Sequence, residues 1–258
     1  MRSIDWLEAC RISTVAGSVM ALTCLGAAAT QARARVQVSD PRPLAAVILE
    51  LETRHGRVVT YEDPVRVHTT DIADITSTVP PARRARPTIV IPKGGHFTFE
   101  YDPPSDQSDN STTGMLQTLV RQFNLTSADA QFRVMRTGET YHVLPAASRD
   151  ISGVRRTSVS PLDTIISIPD GTRTGLEQLW EIRSALRESG FATFSLGIVP
   201  MTALRGHLDG VVRKESARNA IVRVLNSSQH KLSYAMNCDA GPMPTCVLNI
   251  HPLTAPTK

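Results

Sequence analysis

Aromatic side chains are scarce in this chain, at 5% of 258 residues, and lysine is scarcer, with four positions against 24 arginines. The net charge is only +4, too small to mark the whole molecule as a polyanion binder. Beyond the N-terminus no apolar run reaches the length of a membrane helix. Absent too are Gly-x-Ser-x-Gly, His-Glu-x-x-His, a Walker loop and Gly-x-Gly-x-x-Gly. The common nucleophile-elbow, zincin, phosphate-loop and dinucleotide-binding chemistries therefore have no motif to rest on. What is present is an ordinary soluble composition: 41% apolar and 20% charged residues, enough for one large domain or two small ones.

The first 34 residues read as an export signal. Arg2 and Arg11 flank a weakly charged start, and an uncharged run of 18 residues follows, "ISTVAGSVMALTCLGAAA". The stretch "AAATQARA" then offers Ala-x-Ala cleavage sites ending at Ala29 or Ala34. The alternative is an uncleaved anchor in the inner membrane formed by residues 12–29, a run at the short limit for spanning. Membrane contact is expected only through this segment, and only if it stays uncleaved. Export places the protein in the periplasm or outside the cell.

Removing the signal removes Cys10 and Cys24 and leaves Cys238 and Cys246, in "KLSYAMNCDAGPMPTCVLNIHP". Leu232, Tyr234, Met236 and Cys238 alternate with smaller or polar residues, and so do Cys246, Leu248 and Ile250. Two strands joined by the turn-rich "DAGPMPT" place the cysteines opposite each other on one apolar face. Zinc would need a second close pair of ligands, and a redox centre usually has Cys-x-x-Cys. The expectation is a structural disulfide, Cys238 with Cys246, in an oxidising compartment, with no metal site and no cofactor.

Helical periodicity recurs four times. Leu44, Val47, Ile48 and Leu51 form one stripe, between Pro43 and Gly56 as start and stop. Leu116, Leu119, Val120 and Phe123 form a second. Leu176, Leu179, Trp180 and Leu186 form a third, opened by Thr174 and Glu177 at capping-box spacing. Ala217, Ala220, Ile221 and Val224 form the fourth. Strand-like alternation lies between them, in "TIVIPKGGHFTFEYD", in the hairpin "FRVMRTGETYHVLP" and in "DTIISIP". Both halves read helix–strand, then strand–helix–strand–strand. The predicted fold is α+β, with two related modules over 35–150 and 151–258, each a small mixed sheet with two helices packed on one face. Polar segments at 65–88 and 102–113 read as loops inserted in the first module.

The units "LAAVILELETRHGRVVTYED" and "ARNAIVRVLNSSQHKLSYAM" resemble the short N-terminal module of secretins and TonB-dependent receptors. There a helix of the form A-x-x-x-L-x-x-L leads directly into a strand Y/F-x-φ; residues 217–225 and 232–236 carry the match. The wider chain, with "YEDP", "IPKGGHFTFEY" and "YHVLP", resembles uncharacterised exported bacterial proteins. The resemblance implies an envelope interaction module and carries no catalytic residues.

Candidate chemistry is sparse. Glu62 with Asp63 and Glu100 with Asp102 are paired carboxylates, the acid–base equipment of a hydrolase acting on an envelope polymer. Each pair runs into proline, which reads more simply as solvated turn residues. Lys93, Gly94 and Gly95 could offer N–H groups to an anion, but the segment leads into a strand, as a turn does. Arg83, Arg84 and Arg86 read as a solvated linker, and nucleic acid is not expected as a partner of an exported protein. The function expected is a non-enzymatic exported envelope protein that binds another envelope protein or envelope component; the alternative is the carboxylate hydrolase.

Overall fold

The computed structural model describes residues 33–83, 88–104, 108–191, 193–209, 212–240 and 245–253. The expected signal segment, except its last two residues, lies outside the described residues, as do Arg84 and Arg86. The described chain begins with β1 (Ala34–Asp40), α1 (Pro43–His55) and β2 (Val59–Glu62). A strap containing β3 (Ile72–Asp74) and β4 (Val90–Pro92) leads to β5 (Gly95–Tyr101), α2 (Asp109–Thr126) and the hairpin β6 (Ala130–Thr137) and β7 (Thr140–Arg149). Then come β8 (Arg155–Thr157), β9 (Ile165–Ile168), β10 (Thr172–Thr174), α3 (Gly175–Glu188), β11 (Ser195–Leu196) and β12 (His207–Asp209). The last elements are β13 (Val212–Ser216), α4 (Ala217–Asn226), β14 (Leu232–Cys238) and β15 (Cys246–Pro252). The fold class is α+β, as the periodicities indicated.

Local signals explain the helix ends. Pro43 occupies the first turn of α1, and Gly56 ends it in the left-handed conformation, with its N–H on the Glu52 carbonyl. Thr174 and Glu177 form the anticipated capping box of α3. Helix α2 starts earlier than its apolar stripe suggests, at Asp109, inside the segment read as a loop. Ser108 accepts the N–H of Ser111, so a polar run rich in Ser and Asp becomes a helix start. In α3 the buried stripe passes through Ile182, while Trp180 is exposed and carries the Arg183 guanidinium over its ring at 5.2 Å.

The main sheet runs in the order β11–β15–β14–β2–β7–β6, with β8 paired to the end of β7. Strand β2 is parallel to both its neighbours, β14 and β7. The strands of segments 35–150 and 151–258 thus meet in one sheet through β2. Each set keeps its own helices. Val59 and Tyr61 of β2 pack with α1 and α2, in a core that includes Phe99, Leu116 and Tyr141. Strand alternation sends Thr60 and Glu62 to the other face. There α3 and α4 cover Tyr234, Met236 and Leu248. Every residue of β2 is buried, because both faces of the strand are covered.

Cys238 and Cys246 are directly opposed in the β14–β15 register and are joined by a disulfide. Both sulfurs sit in the core on the α3 and α4 face. Replacing both cysteines with serine is expected to lower stability by about 2–3 kcal/mol through the freer unfolded chain. Urea unfolding of the double variant checks this. A variant as stable as the parent would show that cross-strand packing alone holds the hairpin.

Candidate functional site

Glu62 and Asp63, read from the sequence as solvated turn residues, are fully buried. The reason is β2's place in the middle of the sheet: what looks like a strand end running into Pro64 is covered on both faces. The two side chains take opposite faces. Glu62 receives both arms of Arg218 from α4, at 2.6 and 2.7 Å, and the hydroxyl of Tyr234 at 2.7 Å. Arg218 also donates to Asp163 at 2.5 Å. Asp63 accepts from Arg42 at 2.7 Å, from Arg66 at 2.7 Å and from the Tyr61 hydroxyl at 2.8 Å. Arg66 continues to Asp129 at 2.8 Å, and Arg42 reaches the carbonyl of Cys238 at 2.9 Å.

Electrostatics follow from this arrangement. Burial alone would raise the Asp63 carboxyl, but the Arg66 and Arg42 guanidiniums outweigh it and hold the group below its ordinary value. Burial, then the neighbouring carboxylates, push the Tyr61 and Tyr234 hydroxyls well above theirs. Each carboxylate accepts from two guanidinium N–H groups and a tyrosine hydroxyl. A hydrolase needs two carboxyl groups in contrasting environments facing one substrate. Glu62 and Asp63 face opposite sides of a sheet and cannot share one.

Glu100 and Asp102 lie at the end of β5, exposed, opposite Arg35 at 3.9 Å and Arg33 at 3.5 Å. They line an open depression of about 380 Å³. The structure thus separates Glu62 from Asp63, while Glu100 and Asp102 share one open depression, each beside an arginine. Among the described residues no three His, Cys, Asp or Glu side chains converge as metal ligands, and no helix is long and apolar enough to cross a membrane.

A histidine that the sequence places only on a hairpin strand is part of the core. His142 of β7 is fully buried, with Nδ1 2.7 Å from the Thr60 hydroxyl and Nε2 without a partner among the described residues. Burial first, and then Arg218, lowers its pKa from 6.5 to about 4. The only signal in the sequence is its position within a hairpin strand.

The main sheet ends at β6, which pairs only with β7. Phe132 of β6 is bonded through both its N–H and its carbonyl to the Asn124 side chain of α2, and residues 133–137 meet no further strand among the described residues. Beside it runs a groove of about 310 Å³ between α2 and β6, lined by Val120, Leu125, Gln131 and Val134, with Leu125 81% exposed. Neither a protein-family model, nor a curated protein, nor a solved structure matches the chain.

Two outcomes are expected. Arg218→Met leaves Glu62 buried and short of its cation, and should cost about 3–5 kcal/mol in urea unfolding; a near-neutral result would mean that Tyr234 alone satisfies the carboxylate. The neutral form of His142 is favoured by folding, so between its ordinary 6.5 and about 4 the unfolded chain binds more protons. Stability should therefore fall as pH drops through that window. In His142→Asn the larger part of this slope should vanish, leaving a remainder from His55, which burial lowers as well. An unchanged slope would assign the acid sensitivity to other groups.

Proposed function

We propose that this is an exported, non-enzymatic protein of the bacterial cell envelope, which binds an extended segment of an envelope protein by adding it as a strand to β6. The observation that carries this reading is the edge of β6 beyond Phe132, residues 133–137, beside the groove lined by Val120, Leu125 and Val134. Strand addition draws its affinity from main-chain hydrogen bonds and its specificity from side-chain pockets along the edge. The open stretch of β6 and the flanking groove supply both.

Further features support the envelope setting. The Cys238–Cys246 disulfide is of the kind that persists in oxidising compartments. The signal-like N-terminus and the likeness of 217–236 to the secretin and TonB-receptor module point the same way. The reading includes an internal duplication. Strands β1 and β5 pair antiparallel, as do β9 and β13. Strands β2 and β7 pair parallel, as do β11 and β15. In both halves the pairing recurs around two helices in the same chain order. No observation favours the hydrolase.

The test is a photoreactive side chain at Gln131 or Arg133, in protein made by its native host, with one at the exposed Leu49 of α1 as a control. The edge positions should each capture the same envelope protein and Leu49 should not. Intact mass of the isolated protein should match a start shortly before or within β1, with two hydrogens gained on reduction. Equal capture from Leu49, or no adduct from the edge, would sink strand addition at β6; a full-length mass with free thiols would sink export.

A further inference from the structure

We infer that the cleft between the 93–96 turn and the end of α2 is a binding site for a small molecule carrying an oxyanion, a carboxylate or a phosphate group. The cleft holds about 240 Å³, just below the roughly 300–1,000 Å³ of drug-sized pockets. Its size suits a metabolite-sized ion rather than a chain. The argument rests on four cationic or donor side chains that line it: Arg66, Lys93, His96 and Arg149.

The two arginines are held from behind. Arg66, 4% exposed, commits Nε to Asp129 and Nη1 to Asp63. Arg149 commits Nε and Nη2 to Asp71, with Nη2 also on the Thr70 hydroxyl. Among the described residues Nη2 of Arg66 and Nη1 of Arg149 take no partner. Lys93 and His96, both exposed, likewise meet no side-chain partner there. Asp71 and Asp129, the carboxylates in the wall, are already occupied by these arginines, and Asp129 also accepts from Ser127. The carboxylates thus fix the two guanidiniums in place, and these with the exposed Lys93 ammonium face two spent anions. A planar guanidinium held rigidly on one edge presents its remaining N–H groups in a preset geometry, which is how carboxylate and phosphate are recognised at low ordering cost.

The turn is built to the same end. Gly94 (φ +60°) packs so closely on the chain corner before α1 that an added Cβ would lie 2.2 Å from the Asp40 carbonyl oxygen. Glycine is therefore obligatory there, and it brings Lys93 and His96 to the rim. Phe97 and Phe123 give the cleft an apolar wall, so one end of the ligand can be uncharged. This assignment does not depend on strand addition at β6.

Calorimetric titration of the full chain at low ionic strength with inorganic phosphate and, separately, with succinate tests it. Saturable one-to-one binding of at least one probe is expected. Binding of phosphate alone, or of succinate alone, identifies which group the cleft selects. The double variant Lys93→Ala with His96→Ala alters only exposed side chains and should weaken binding by about tenfold or more. Lys231→Ala, a cation outside the cleft, should leave it unchanged. The inference is overturned if neither probe saturates, or if the double variant binds as the parent does.

Discussion

Two adjacent carboxylates at the end of β2 set the terms for the rest of the molecule. Glu62 and Asp63 leave the same strand in opposite directions, and each is taken out of water. A buried carboxylate is tolerable only with charge and hydrogen bonds supplied around it. Glu62 draws Arg218 and Tyr234 from the segment beyond residue 150, while Asp63 draws Arg42 and Arg66 from the segment before it. The backbone of Cys238 touches the second group through Arg42. The packing of α1 on one face and α4 on the other is thereby registered against a single strand.

Apolar burial stabilises both cores, yet it is not specific about register: sliding a helix by one turn exchanges similar side chains. Bidentate pairing of Arg218 with Glu62 is specific, because both guanidinium arms must meet both carboxylate oxygens. His251 adds a further link of this kind, with Nε2 2.9 Å from Glu52 of α1, whose other oxygen accepts the N–H of Val59. Glu52, Glu62 and Asp63 thus tie α1, β2, α4 and the terminal hairpin to one another. The buried carboxylates Glu52, Glu62 and Asp63 are spent on this framework. The two sites proposed for recognition lie at the periphery: the edge of β6, and the cleft in which Arg66 is braced by Asp63 and Asp129 and Arg149 by Asp71.

The helices were legible because their periodicity and caps are local. Pro43, Gly56 and the pair Thr174 and Glu177 act on their own turns, whatever packs against them. The disulfide was legible for a similar reason, since alternation in two strands joined by a short turn fixes which face each cysteine takes. The start of α2 was missed because its first turn is polar and its apolar stripe begins only at Met115. Trp180 was assigned to a buried stripe that the structure runs through Ile182, since composition does not distinguish a core aromatic from one that stacks under an arginine.

By itself, the sequence determined the four helices, the longer strands that follow or precede them, the disulfide partner and the α+β class, but not β1 or the short strands β3, β8 and β10; what it determined depends on neighbours within a few residues. Only the tertiary structure decided that β2 lies at the centre of a sheet buried on both faces. With that, Glu62 and Asp63 ceased to be turn residues and became buried ion-pair centres, and His142 became a core histidine with a lowered pKa. The tertiary fold also gathered Arg66, Lys93, His96 and Arg149 from three separate stretches into one cleft. Burial and electrostatics are set by what approaches across long separations in the chain, and no local pattern records that.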